Sequence, residues 1–252
     1  MKKIFYIFFL MLGVTLFSEA ATRGDVKVIE SSEDIRYLSQ KIVKDYLFLY
    51  SNPKKREVKS ELHASLEKLS DDLRVIVMTT KDSDTKDILE FLAYSKDQIK
   101  ELFDQKADKE NAALMLDYSE TLLEGADSIA RAHLYTFSDE EKMLMVTKEI
   151  EYLLERITKY YMAFNVGFET HTNKKQMEEA IGKLEENMEK INAYSYPYEM
   201  QKEQENINRF WKTNKHFFQK TETLFIPNLL LASIDYLEDH VANIALYHSK
   251  NQ

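Results

Sequence analysis

From about residue 31 onward, apolar side chains recur at alternating spacings of three and four, with polar and charged residues between them. That period belongs to an α-helix with one buried face. Ile35, Leu38, Ile42, Tyr46 and Leu49 form the first stripe; Val58, Leu62, Leu66, Leu69, Leu73 and Ile76 the second; Ile88, Leu92, Ser95, Ile99 and Leu102 the third; Leu116, Ser119, Leu123, Ala126, Ala130 and Leu134 the fourth. Four more follow: Val146 to Tyr161, Met177 to Ile191, Ile207 to Phe218 and Leu230 to Ile244. The mean spacing near 3.5 predicts shallow crossings of the kind found in helical bundles.

The breaks have their own chemistry. Asn52-Pro53 reads as a capping side chain ahead of a proline in a first helical turn. Ser138-Asp139-Glu140-Glu141 has capping-box spacing. Pro197 and Pro227 mark junctions, and the polar segments Lys81–Lys86 and Thr170–Lys175 read as turns.

The pattern repeats after about 115 residues. Ile35–Tyr46 aligns with Ile150–Tyr161, with identities at Ile35/Ile150, Tyr37/Tyr152, Leu38/Leu153, Ile42/Ile157, Lys44/Lys159 and Tyr46/Tyr161. Lys41 pairs with Arg156. At the same offset Leu114-Met115-Leu116 falls on Leu229-Leu230-Leu231, Ile129-Ala130 on Ile244-Ala245 and His133 on His248. Four stripes per copy predict an all-α fold of two tandem antiparallel four-helix bundles, 31–137 and 138–250.

The first twenty residues read as an address. Lys2 and Lys3 precede an apolar run from Ile4 to Phe17 interrupted by Thr15, then Ser18-Glu19-Ala20. This is the pattern of a secretory signal peptide, 1–20, predicting export. The alternative is an uncleaved N-terminal anchor, although the run is short of the roughly 20 residues a span needs.

Composition narrows the classes further. The 252 residues include no cysteine, which excludes disulfides, thiolate zinc sites and a cysteine nucleophile. With 34 Lys+Arg against 43 Asp+Glu, the net charge of -9 argues against nucleic acid as a partner. Five glycines and three prolines are too few turn residues for a sheet of many short strands.

The segment Arg36-Tyr37-Leu38-Ser39-Gln40-Lys41-Ile42-Val43-Lys44-Asp45-Tyr46 resembles the opening helix of the PilJ-type sensory domain. That domain is the periplasmic part of type IV pilus methyl-accepting chemotaxis transducers and is related to the sensor of nitrate/nitrite kinases. The resemblance covers about a dozen residues and implies an antiparallel four-helix bundle, a periplasmic location, and a membrane receptor or a pilus or chemotaxis component as partner. It also implies a homodimer in which an arginine of each first helix clamps a small anion. That role falls on Arg36, with Ser39, Gln40 and Lys41 as the nearest further donors. The sequence departs from the pattern where Glu33-Asp34-Ile35 precede Arg36, and the second copy carries Glu151 in place of the arginine. A hydrogen bond to a charged group nets roughly 1.5–3 kcal/mol, so two arginines alone give about millimolar affinity. Two acids within a turn lower it further.

No catalytic constellation emerges. The six histidines include no Glu-x-x-His, and His63 with Glu67 is a lone pair of helical spacing. No nucleophile elbow or phosphate loop occurs. Tyr160-Tyr161, Phe210-Trp211 and Phe217-Phe218 read as core. The sequence therefore predicts a non-catalytic exported sensory or ligand-binding protein without cofactor or metal, the alternative being a structural adaptor with no small-molecule ligand.

Overall fold

The structure is a computed structural model and describes residues 23–220 and 225–252; the expected signal peptide lies outside them. Among the described residues there are eight α-helices and no strand. They are α1 (Arg23–Ser51), α2 (Arg56–Thr79), α3 (Ser83–Asp104), α4 (Lys109–Ala132), α5 (Asp139–Asn165), α6 (His171–Ala193), α7 (Tyr198–Phe218) and α8 (Pro227–Lys250). The boundaries carry the repeat: α2 and α6 begin at Arg56 and His171, α3 and α7 at Ser83 and Tyr198, both pairs about 115 residues apart.

Neighbour relations also recur. Helix α1 packs on α2 and α4, and α3 lies between α2 and α4 to complete a ring. Helix α5 packs on α6 and α8, with α7 beside both, its contact with α6 being the slighter. The two rings meet where α1 lies against α5. These two helices run parallel, because contacts climb both together, from Asp34 with Lys148, through Gln40 with Arg156, to Ser51 with Asn165.

This placement explains their burial. Helices α2, α3, α6, α7 and α8 bury one stripe each, close to the one read from sequence. Helices α1 and α5 are enclosed on nearly every side, so Val43, Leu47 and Phe48, off the first stripe, are buried together with Ile35, Ile42 and Tyr46. Trp211, Phe218 and Tyr161 are buried aromatics, and Tyr161 stands edge-on to Phe218 with centroids 5.7 Å apart.

Caps set the ends. Ser138 and Glu141 form a complete capping box at α5. Asp82, Asp108 and Thr170 cap α3, α4 and α6. Asn52 serves differently from its sequence reading: its side-chain amide and its backbone N–H both donate to the Phe48 carbonyl, closing α1, and α2 starts only at Arg56. The turns are shorter than the polar segments suggested, because α3 opens at Ser83 and α6 at His171. Leu134 lies past the end of α4 and is 60% exposed.

Each ring is tied by the same acid–histidine pair. His133 Nδ1 is 2.9 Å from Asp25 Oδ1, joining the end of α4 to the start of α1. His248 Nδ1 is 2.5 Å from Glu140 Oε2, doing the same for α8 and α5. A histidine beside the last turn of a helix also meets the negative end of its dipole.

Helices α3 and α4 approach closely at Gly125, where a Cβ would overlap Leu92 Cδ2 and stand 3.3 Å from Ile88 Cγ2. Gly125→Leu is expected to cost about 1–3 kcal/mol through overpacking. Gly182, in α6 with nothing near its missing Cβ, is expected to gain about 0.5–1 kcal/mol on substitution by alanine, since it then loses less backbone entropy. Urea unfolding of the two variants checks both signs.

Candidate functional site

Because α1 and α5 are parallel and in register, the first helices of the two copies face one another along a seam. The seam is not purely apolar. Lys44 and Lys159, equivalent positions, are both buried, as are Gln40, Asp45, Glu155 and Arg156. Charges enclosed this way persist only if paired and hydrogen-bonded.

On one side of the seam, Lys44 Nζ donates to Glu155 Oε1 at 2.8 Å, and Lys41 Nζ lies 3.6 Å from the same oxygen. Asp45 Oδ1 is 3.6 Å from Lys44 Nζ. Burial opposes the charge on Lys44, but Glu155 and Asp45 outweigh it and hold the ammonium well above the usual lysine range. Burial also opposes the charge of Glu155, and Lys44 and Lys41 outweigh it to keep the carboxyl below its ordinary value. Asp45 goes the other way: burial pushes it up to about 6 against the pull of both lysines.

On the other side, Lys159 Nζ donates to Ser119 Oγ at 3.1 Å and to Glu120 Oε1. Arg156 binds Glu120 with both terminal nitrogens, at 3.2 and 2.9 Å, and donates to Gln176 Oε1 at 2.6 Å. Tyr160 completes the set with a hydroxyl 3.2 Å from Glu120. Burial, only partly offset by Glu120, brings Lys159 down to about 8. Burial pushes against the charge of Glu120, but Lys159 and Arg156 hold it at about 2.

The four residues singled out in sequence do not converge on one cavity. Arg36 turns toward α4: Nη1 is 2.6 Å from Glu33 Oε2, Nε is 2.7 Å from Asp127 Oδ1 without hydrogen-bond alignment, and the guanidinium lies 4.5 Å over the Tyr152 ring. Ser39 Oγ donates to the Arg36 carbonyl at 2.7 Å and accepts from Gln40 Nε2 at 2.8 Å. Gln40 Oε1 accepts from Arg156 at 3.4 Å, and Lys41 faces Glu155. Sequence reasoning missed Lys44, Glu155, Glu120, Arg156 and Lys159 as a connected set. The available signal was the recurrence of two basic positions inside an otherwise apolar repeat.

Two adjoining clefts of about 350 and 390 Å³ open between α1, α5 and α8. They share Asp34, Lys148, Glu151 and Ala242. The first is also bordered by Tyr37, Glu238 and Asp239, the second by Glu30 and Glu33. Acids outnumber bases in both. Glu238 Oε2 accepts from Tyr37 at 3.3 Å, while its Oε1 is buried without a hydrogen-bond partner. Asp45 Oδ2 and Glu155 Oε2 are orphaned in the same way. Burial, with the like charge of Glu155 added, pushes Glu238 well above the carboxylate range. Among the described residues no group of three or more His, Asp or Glu is arranged to hold a metal ion, and no helix is long and apolar enough to cross a membrane.

No family model, curated protein or solved structure matches this chain.

The seam makes stability depend on pH in two opposed ways. Asp45 binds its proton more tightly folded than unfolded, so its contribution is fully present below 3.8 and is lost as pH rises to about 6. Glu120 and Glu155, held below their ordinary value of 4.5, contribute above it and lose that contribution on acidification. Asp45→Asn is expected to stabilise the protein at pH 7 by on the order of 1–3 kcal/mol and to lose that advantage by pH 3.5. Denaturant titrations at the two pH values measure the difference.

Proposed function

We propose that this chain is a non-catalytic ligand-binding protein of the sensory kind, with the cleft between α1, α5 and α8 as its binding site. The observation that carries the reading is the position of the cleft, which opens beside a buried seam of incompletely satisfied charges. A group bound there changes the balance of Glu238 and, through it, of Glu155 and Lys44, which hold α1 against α5. Binding is thereby linked to the packing of the two central helices, the kind of bistable contact a sensor uses.

The resemblance of Arg36–Tyr46 to the PilJ-type opening helix supports the same class. In that reading the two first helices that pair between subunits are represented here by α1 and α5 of one chain. The chain is exported under the segment 1–20 and acts through a membrane receptor or a pilus or chemotaxis component. Arg36 is poorly placed to receive a small anion, because Glu33 and Asp127 already occupy its guanidinium. The second reading, a structural adaptor, draws on Phe91 and Tyr94 of α3, 70% and 59% exposed, as a surface for another protein.

A thermal-shift panel of nitrate, nitrite, succinate, amino acids and organic amines tests the binding reading. At least one compound is expected to raise Tm by about 5–10 °C at a hundredfold its Kd. The shift should vanish in Ala242→Trp, which fills the cleft, and persist in Arg36→Ala. A shift abolished by Arg36→Ala instead would move the site to Arg36. A panel without any shift favours the adaptor.

A further inference from the structure

The two sides of the α1–α5 seam, related by the repeat, differ at one place. On the α4 side, the groove between α4 and the two central helices is filled by the Arg36 guanidinium, which rests on the Tyr152 ring between Glu33 and Asp127. On the α8 side the corresponding positions are Glu151 for Arg36, Tyr37 for Tyr152, Lys148 for Glu33 and Ala242 for Asp127. All four border the open cleft. The side chain that fills the groove has become a carboxylate, the acid that receives it has shrunk to a methyl group, and the aromatic ring has been kept.

The charge around the opening fits the missing group. Asp34, Glu151, Glu238 and Asp239 face Lys68 and Lys148 across the cleft. Lys148 is taken up by Glu151 at 3.3 Å and Asp34 at 3.7 Å. Lys68 is taken up by Asp34 at 2.8 Å and Asp72 at 2.6 Å. That leaves Asp239 as the surplus charge, beside Glu238, whose counterpart on the α4 side is Leu123 and which burial and Glu155 drive toward its neutral form until a cation joins it. Glu238 Oε1 is the buried acceptor without a donor. A surplus of negative charge, an aromatic ring and an unused carboxylate oxygen are the components of a site for an organic cation.

We propose that the cleft binds a small organic cation bearing a guanidinium or alkylammonium group, held over Tyr37 and hydrogen-bonded to Glu238 Oε1, in the place that Arg36 fills on the opposite side. The inference rests on the cleft being the ligand site and adds the charge class of the ligand. A bound cation supplies the hydrogen bond that Glu238 lacks and offsets the crowding of Glu238 by Glu155. Inorganic anions have no unengaged basic partner among the lining residues and are repelled by the surplus.

Isothermal titration of the folded chain with agmatine and L-arginine, with nitrate and succinate as comparisons, tests it. Agmatine is expected to bind at one site and the anions not at all. Glu238→Gln and Tyr37→Leu should each weaken agmatine by about tenfold, the loss of one charge-assisted hydrogen bond or one cation–ring contact. The triple variant Lys148→Glu, Glu151→Arg and Ala242→Asp rebuilds the filled arrangement of the α4 side. It should abolish binding while leaving the circular dichroism and Tm close to those of the parent, which separates a blocked site from a damaged fold. Absence of binding by both cations, or binding unchanged in the triple variant, overturns the proposal. If succinate or a neutral compound binds and depends on Ala242, the cleft remains the ligand site and only the cation assignment falls. If nothing in the panel binds, both fall.

Discussion

The contact between α1 and α5 governs the rest of the structure. Two helices of one chain lie parallel and in register, so that Gln40 meets Arg156 and Lys41 meets Glu155, each pair within a residue of the repeat offset. Each central helix is surrounded by its own ring and by the other, which is why residues on several of its faces are buried. Lysines at equivalent positions are enclosed in that contact, and both are answered by carboxylates: Lys44 by Glu155 across the seam, Lys159 by Glu120 from α4. Buried pairs of this kind add little net stability compared with apolar residues of the same size, yet losing one partner is costly. Lys44 with Glu155 ties α1 directly to α5, and Lys159 with Glu120 ties α5 to α4.

Near-symmetry makes the differences informative. Arg156 and Lys159 gather around one glutamate that is kept fully ionised. Lys41 and Lys44 stand among Glu155, Asp45 and Glu238, too many carboxylates for two ammonium groups, and Asp45 and Glu238 respond with raised pKa values. One side is closed by an arginine and the other opens to a cleft. Of the buried polar atoms without a hydrogen-bond partner, Glu238 Oε1 belongs to a residue that borders the cleft.

Much of the fold was legible from spacing alone. The stripes in α2, α6, α7 and α8 match the buried faces closely, and the Ser138 cap forms as its motif specifies. The repeat was visible in identical pairs such as Lys44/Lys159 and His133/His248, and the structure gives the histidines equivalent acid partners. Asn52 was misread because the same side chain can cap the helix that follows or close the one that precedes, and a local pattern does not separate these. The charged seam was less legible for a deeper reason. Glu120, Glu155 and Glu238 sit at positions that a single amphipathic helix would give to solvent, and only the packing of α4, α5 and α8 around α1 turns those faces inward. Arg36 was visible as a charge, but not the approach of Asp127 from a helix about ninety residues later.

The most direct measurement of the central contact is a double-mutant cycle on Lys44 and Glu155, followed by urea unfolding at pH 7. Lys44→Met and Glu155→Leu should each cost about 3–5 kcal/mol, because each strands the opposite charge inside the seam. Together they should cost far less than the sum, with a coupling of about 2 kcal/mol or more. Additive losses, or single variants no less stable than the parent, would show that α1 and α5 do not meet through this pair.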